Sequence, residues 1–102
     1  MIIRIDIDET ICITPNDGDP LNRDYHKSMP IVENIAKANR LYDNDHIIIY
    51  WTARGTVTGI DWREVTEKQF ERWGVKYHKL EFGKPYYDLF IDDRVMNTKD
   101  WQ

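Results

Sequence analysis

A chain of 102 residues, 41% hydrophobic and 31% charged, is sized for one core and balanced for a folded domain rather than a disordered one. Its net charge of -4 leaves no basic face of the kind nucleic acid or an anionic membrane requires, and it suits carboxylates gathered around a cation. The lone Cys12 excludes an internal disulfide and a cysteine-rich zinc site, so a reducing, cytoplasmic setting is expected. Arg4 interrupts the opening apolar run, which argues against a signal peptide, and no run reaches transmembrane length.

Ile2, Ile3, Ile5 and Ile7 form a β-branched run that predicts a buried strand, with Asp6 and Asp8 at its end. Residues 14–24, TPNDGDPLNRD, are dense in Pro, Gly, Asn and Asp, which favour turns through their backbone angles and local hydrogen bonds. Ser28 and Pro30 are expected to open a helix, because the missing N–H of proline costs nothing in a first turn. Ile31, Ile35, Ala38 and Tyr42 recur at helical intervals along its apolar face, and HIIIYW at 46–51 predicts a second buried strand. The polar loop TARGTVTG at 52–59 leads to Asp61, a cap for a second helix. Trp62, Val65, Gln69, Phe70 and Trp73 share a face of that helix, and Gly74 stands where a left-handed closing residue belongs. VKYHKLEF at 75–82 predicts a third strand and FGKP a turn. YYDLFI at 86–91 predicts a fourth strand running into Asp92 and Asp93, and VMNTKDW adds a turn of helix.

This order of elements implies a three-layer α/β domain with a mainly parallel sheet and, through right-handed crossovers, helices on both faces. Ligands bind such sheets at the carboxyl ends of the strands, and Asp6, Asp8, Thr52, Asp92 and Asp93 all fall there.

In this order, DIDET, YWTAR, GKP and IDDR resemble the four signature motifs of the haloacid dehalogenase (HAD) superfamily, spanning residues 6–93. The longer strings IDIDETI, IIIYWTARG, VKYHKLEFGKP and DLFIDDR resemble small phosphatase-like proteins of capsule polysaccharide biosynthesis. The resemblance implies a Rossmann-like HAD hydrolase domain over 1–102 that cleaves a phosphate monoester through an aspartyl-phosphate. On the matching positions Asp6 would be the nucleophile and Asp8 the acid–base residue. Thr52 would donate its hydroxyl to a phosphoryl oxygen, and Lys84 would offset negative charge. Asp6 through its side chain, Asp8 through its backbone carbonyl, Asp92 directly and Asp93 through water would hold Mg²⁺, so that one anion can attack another. An acid at Asp8 favours phosphate esters over the dehalogenase and phosphonatase branches. The resemblance also implies a helical turn and a hairpin straight after the first motif, and a last strand beside the first and opposite the second. The implied substrate is a phosphorylated sugar, or a nucleotide-linked sugar phosphate, of surface-polysaccharide synthesis.

Residues 11–45 hold only a loop and a helix, and 85–91 lead straight into the last strand, so no cap domain fits. The site is then expected to stand open to large substrates, or to be closed by a neighbouring subunit of a homo-oligomer or by a lid around Leu21 to Lys27; the partner implied by the resemblance is a small phosphorylated molecule. Arg54 is placed to reach a second anionic or hydroxylated part of the substrate, with a solvated loop role equally open. The alternative within enzymes is a nucleotide or polynucleotide-end phosphatase, although the net charge speaks against long nucleic acid. The alternatives outside are a receiver-like phospho-acceptor, whose acids come in the opposite order along the chain, and a non-catalytic partner-binding domain. Read singly, Thr52 is a turn residue, Lys84 a surface lysine and Asp92–Asp93 a helix cap; their order gives them weight. His26, His46 and His78 show no metal-ligand spacing, Cys12 is expected to pack by the first strand, the four tryptophans belong to the core or to a half-buried surface, and Glu9 receives no role.

Overall fold

A computed structural model describes residues 1–102. Three parallel strands form the main sheet: β1 (Ile2–Ile5), β4 (Ile47–Trp51) and β5 (Lys79–Glu81), in the spatial order β1-β4-β5. A two-residue pair, β2 (Cys12–Ile13) with β3 (Met29–Pro30), runs antiparallel beside it. Helix α1 (Val32–Asp43) connects β1 to β4 and α2 (Arg63–Trp73) connects β4 to β5. Both crossovers step the same way across the sheet, so right-handed connections put both helices on one face. The core agrees: Ile35 and Ala38 of α1 and Phe70 of α2 share one buried cluster with Ile5, Ile7, Ile48, Tyr50 and Leu80. Asn39 of α1 also donates to the carbonyl of Gly74, which closes α2, at 2.9 Å.

Strand residues alternate faces, so the residues between these core positions look the other way. There Ile2 is 73% exposed, and Arg4 bridges to Glu81 at 3.1 Å beside the Trp51 ring. The expected helices on both faces are thus not seen; the structure is a parallel α/β sheet with two helices on one side. The expected fourth strand is absent as well. Residues 86–91 join no ladder, and Leu89 and Ile91 are 75% and 85% exposed. The reason lies in chain length: a parallel partner for β1 requires a crossover of about a dozen residues, and only 82–85 separate β5 from this segment. The far edge of β1 therefore has no strand beside it, and the switch point expected between the first and last strands does not form.

Local expectations fare unevenly. Pro30 opens no helix; it lies in β3 opposite Cys12, at an edge where its missing N–H removes no bond. Helix α1 starts two residues later, without a side-chain cap. Asp61 accepts from the Arg63 amide at 3.0 Å as a cap should, and Gly74 adopts the left-handed angle φ 70° at the end of α2. No helix is long and apolar enough to cross a membrane.

Tyr50 sits at the centre of this core, fully buried and edge-on to Phe70 at 4.9 Å, yet its hydroxyl has no hydrogen-bond partner. Burial without a partner pushes its phenol well above the ordinary tyrosine range. An unpaired buried hydroxyl costs about 1–3 kcal/mol. Tyr50→Phe is therefore expected to raise stability by about 1 kcal/mol in urea denaturation, and a clear loss would show that the hydroxyl is satisfied after all.

Candidate functional site

The carboxyl ends of the three parallel strands open on a cavity of about 310 Å³. Asp6 follows β1 directly, Thr52 follows β4, and Lys84 comes three residues after β5. All three line the cavity, brought together from positions far apart in sequence by parallel pairing. Lys84 Nζ lies 3.6 Å from Asp6 Oδ1 and 5.4 Å from the Trp51 ring centre, and the Lys84 amide donates to the Thr52 carbonyl at 3.1 Å. Partial burial pushes the Asp6 carboxyl above its ordinary range, against the pull of Lys84 and of the Ile7 backbone. Thr52 is buried, and its hydroxyl oxygen accepts from the Arg54 amide at 3.1 Å. Its own O–H thus remains free to donate to a ligand in the cavity.

After Asp6 the chain leaves the strand in a helical turn, with the amides of Thr10 and Ile11 both donating to the Ile7 carbonyl at 3.1 and 2.9 Å. This turn and the β2–β3 pair supply the turn and hairpin expected after the first motif, and the turn swings Asp8 away from Asp6. Asp8 meets Arg54 in a two-pronged pair, Nε to Oδ2 and Nη2 to Oδ1, both at 3.0 Å. Thr14 donates its hydroxyl to the same Oδ1 at 2.6 Å. Burial opposes ionisation of Asp8, but Arg54, Thr14 and Cys12 together outweigh it and hold the carboxyl below its ordinary range.

Arg54 is not a solvated loop residue: it lines the cavity, and its guanidinium is engaged by the protein itself. Its side chain is fully buried, and its remaining donors go to Thr66 and Gln69 of α2 at 2.9 and 2.7 Å and to Ser28 at 3.3 Å. The Tyr25 ring lies 4.7 Å from its guanidinium carbon. Thr66 and Gln69 lie three apart on the buried face of α2. Gln69, a polar residue among apolar ones at helical spacing, was the available sequence signal for this network.

Glu9, which the sequence left without a role, lines the cavity and grips Arg23 with both oxygens, at 2.7 and 2.8 Å. Arg23 also donates to the Thr14 carbonyl. The clasp holds the turn-rich loop over the cavity, where Pro20, Leu21 and Tyr25 form one wall. The loop after Thr52 is equally constrained: Gly55 has φ +80°, and a Cβ there would stand 2.1 Å from the Ile60 carbonyl oxygen.

Asp92 and Asp93 do not join the site. Neither lines the cavity, both are exposed, and the Asp92 carboxylate accepts from the Arg94 amide at 2.9 Å. No three acidic, histidine or cysteine side chains come together in a way that could hold a metal ion. A magnesium ion needs several oxygen ligands, and with Asp92 and Asp93 away from the cavity only Asp6 and Asp8 of the implied set line it. The donors in this arrangement therefore do not fit the cation that the resemblance implies. The histidines lie away from the cavity: His78 accepts from the Ile48 amide, His46 contacts the N-terminus, and His26 pairs with Asp24. Cys12 is fully buried, its thiol pushed up to about 12 by that burial, and so is inert.

No protein-family model matches this chain, and no curated protein matches it either. A crystal structure of an MCSG target from Vibrio cholerae is similar in fold, with a TM-score of 0.82 over 99% of this chain and 87% of that one, at 21% sequence identity.

Breaking a buried ion pair by removing one partner costs about 3–5 kcal/mol, because the other charge is left unpaired. Arg54→Ala is expected to lose about that much stability in chemical denaturation, and a loss under about 1 kcal/mol would show the pair to be dispensable. The Asp8 contribution to stability is present above the ordinary carboxyl value of 3.8 and disappears as pH falls through the lower folded value. Acid titration of the wild type and of Asp8→Asn should therefore begin to converge as pH falls below 3.8 and meet only below the lower folded value.

Proposed function

We propose that this protein is a phosphomonoester hydrolase of HAD type in which Asp6 is the nucleophile. The observation that carries the reading is the meeting of Asp6, Thr52 and Lys84 on one cavity from three strand ends, with Lys84 Nζ 3.6 Å from Asp6 Oδ1. A carboxylate oxygen of Asp6 attacks phosphorus, the P–O ester bond breaks and the leaving oxygen takes a proton from solvent water, leaving an aspartyl-phosphate that water then hydrolyses to phosphate and free Asp6. The Lys84 ammonium offsets the repulsion between the attacking carboxylate and the phosphoryl oxygens, and the free Thr52 O–H supports one of those oxygens. The substrate in this reading is a phosphorylated sugar of surface-polysaccharide synthesis, carried over from the resemblance.

Two parts of the sequence expectation sit less well with the geometry. A general acid must carry a proton and release it, whereas both Asp8 oxygens accept hydrogen bonds from fixed donors. Asp8 is better suited to hold Arg54, and through it the loop that carries Thr52. Magnesium belongs to the reading through the resemblance alone, since the carboxylates as arranged do not fit it. The same two observations favour a second reading: a domain that binds a phosphoryl group, or accepts one, without repeated turnover.

Release of nitrophenol from para-nitrophenyl phosphate separates the two. Wild-type protein is expected to turn over many times, Asp6→Asn to abolish turnover while keeping the fold, and Lys84→Met to slow it about 100-fold. Full activity in Asp6→Asn would remove the nucleophile from the proposal, and a single stoichiometric burst would favour the second reading. Turnover abolished by a chelator and restored by magnesium would require Asp92 and Asp93 to lie alongside Asp6 in the working enzyme, against the arrangement seen here.

A further inference from the structure

Arg23, Arg54 and Lys84 line the cavity, and the two arginines commit their donors to the protein. Arg54 gives its nitrogens to Asp8, Thr66, Gln69 and Ser28, and Arg23 gives both terminal nitrogens to Glu9 and the Thr14 carbonyl. Lys84 is held differently. Its Nζ lies 5.4 Å from the Trp51 ring centre and 5.5 Å from that of Tyr87, within the distance at which a ring face attracts a cation. Its separation from Asp6 Oδ1, 3.6 Å, is longer than a full hydrogen bond, so the pull of Asp6 alone does not fix the ammonium. The Lys84 side chain is nonetheless only 13% exposed.

The rings matter because a lysine carries a point charge on a flexible stem. The backbone of Lys84 is tied on both sides: its amide donates to the Thr52 carbonyl at 3.1 Å, and its carbonyl accepts from the Thr56 hydroxyl at 2.8 Å. Beyond that anchor the stem could still swing. A ring face attracts the positive charge without accepting a conventional hydrogen bond, so the N–H donors stay available. Trp51 is itself placed by the sheet. It ends β4 in register with Glu81 of β5, Glu81 bridges to Arg4 of β1 at 3.1 Å, and the Arg4 guanidinium carbon lies 5.5 Å from the centre of the same ring. All three strands thus set the ring against which the lysine rests.

Resting on the phosphatase reading for what the ammonium then meets, we infer that Trp51, assisted by Tyr87, is a positioning residue whose ring face holds the Lys84 ammonium beside Asp6 and leaves its N–H groups to an incoming phosphoryl oxygen. When an Asp6 oxygen turns to phosphorus, its pull on the ammonium weakens, and the rings keep the charge in place.

Proton NMR and a calorimetric titration with inorganic phosphate test this without turnover. Ring currents should move the Lys84 ε-methylene protons upfield of those of Lys68, whose side chain is 68% exposed. The displacement should persist in Trp51→Phe and largely vanish in Trp51→Leu. Inorganic phosphate has no face to stack on a ring, so it reports on the ammonium. Trp51→Leu is expected to weaken phosphate about fivefold, the equivalent of about 1 kcal/mol, while Trp51→Phe stays within about twofold of the wild type. Tyr87→Leu, at an exposed position, should weaken it about twofold with the fold intact. Unshifted Lys84 protons in the wild type, equal phosphate binding by Trp51→Leu and wild type, or equal losses in Trp51→Phe and Trp51→Leu would overturn the inference. Should Trp51→Leu fail to fold, unchanged Lys84 protons and unchanged phosphate affinity in Tyr87→Leu would overturn it. Ring-shifted Lys84 protons in a wild type that binds no phosphate would sink the phosphatase reading and leave the hold on Lys84 standing.

Discussion

The pair between Asp8 and Arg54 organises everything around the cavity. Its two 3.0 Å bonds join the turn after β1 to the loop after β4. Further bonds from Arg54 reach α2 through Thr66 and Gln69 and the β2–β3 region through Ser28, while Tyr25 stacks over the guanidinium. Four segments distant in sequence are thus held by one side chain. Such a pair is a poor source of net stability, because desolvating both charges cancels most of their attraction. What it supplies is geometry: all three nitrogens of a rigid fork find acceptors within the protein, and few alternative packings satisfy them all.

Fixing Asp8 this way has a chemical consequence. The two acids of DIDET experience opposite surroundings although one residue separates them. Asp6 is half exposed beside a single lysine at 3.6 Å, and partial burial raises its carboxyl. Asp8 is nearly enclosed, and its partners lower it. The turn at Ile7 to Ile11 is what separates them, since on a continuous strand both would share a face. One carboxylate is thereby left able to react, and the other is committed to structure.

A second ring of contacts shapes the walls of the cavity. Glu9 and Arg23 hold the turn-rich loop across the cavity, and Gly55 keeps the opposite loop tight where any side chain would strike the Ile60 carbonyl. Neither wall comes from an inserted domain. Two short connections, each tied back to a strand end, form these walls.

The strands β1 and β4, both helices, and the left-handed Gly74 could be read from the chain, because each depends on nearby apolar spacing and local backbone preference. Asp6, Thr52 and Lys84 could be read too, since strand ends of a parallel sheet converge whatever the details of packing. Three things were decided only in three dimensions. Residues 86–91 look like a strand, but a strand needs a partner, and the short connection from β5 denies the parallel one. Arg54 looks like a substrate arginine, but whether a cation faces solvent or is enclosed depends on Asp8, Thr66 and Gln69, which periodicity does not bring together. Glu9 looks like a bystander, and joins the cavity wall only because the folded loop carries Arg23 back to it. Local spacing determines which elements form; the pairing of charges between them is settled by long-range packing, where each buried ion must find its own counter-ion.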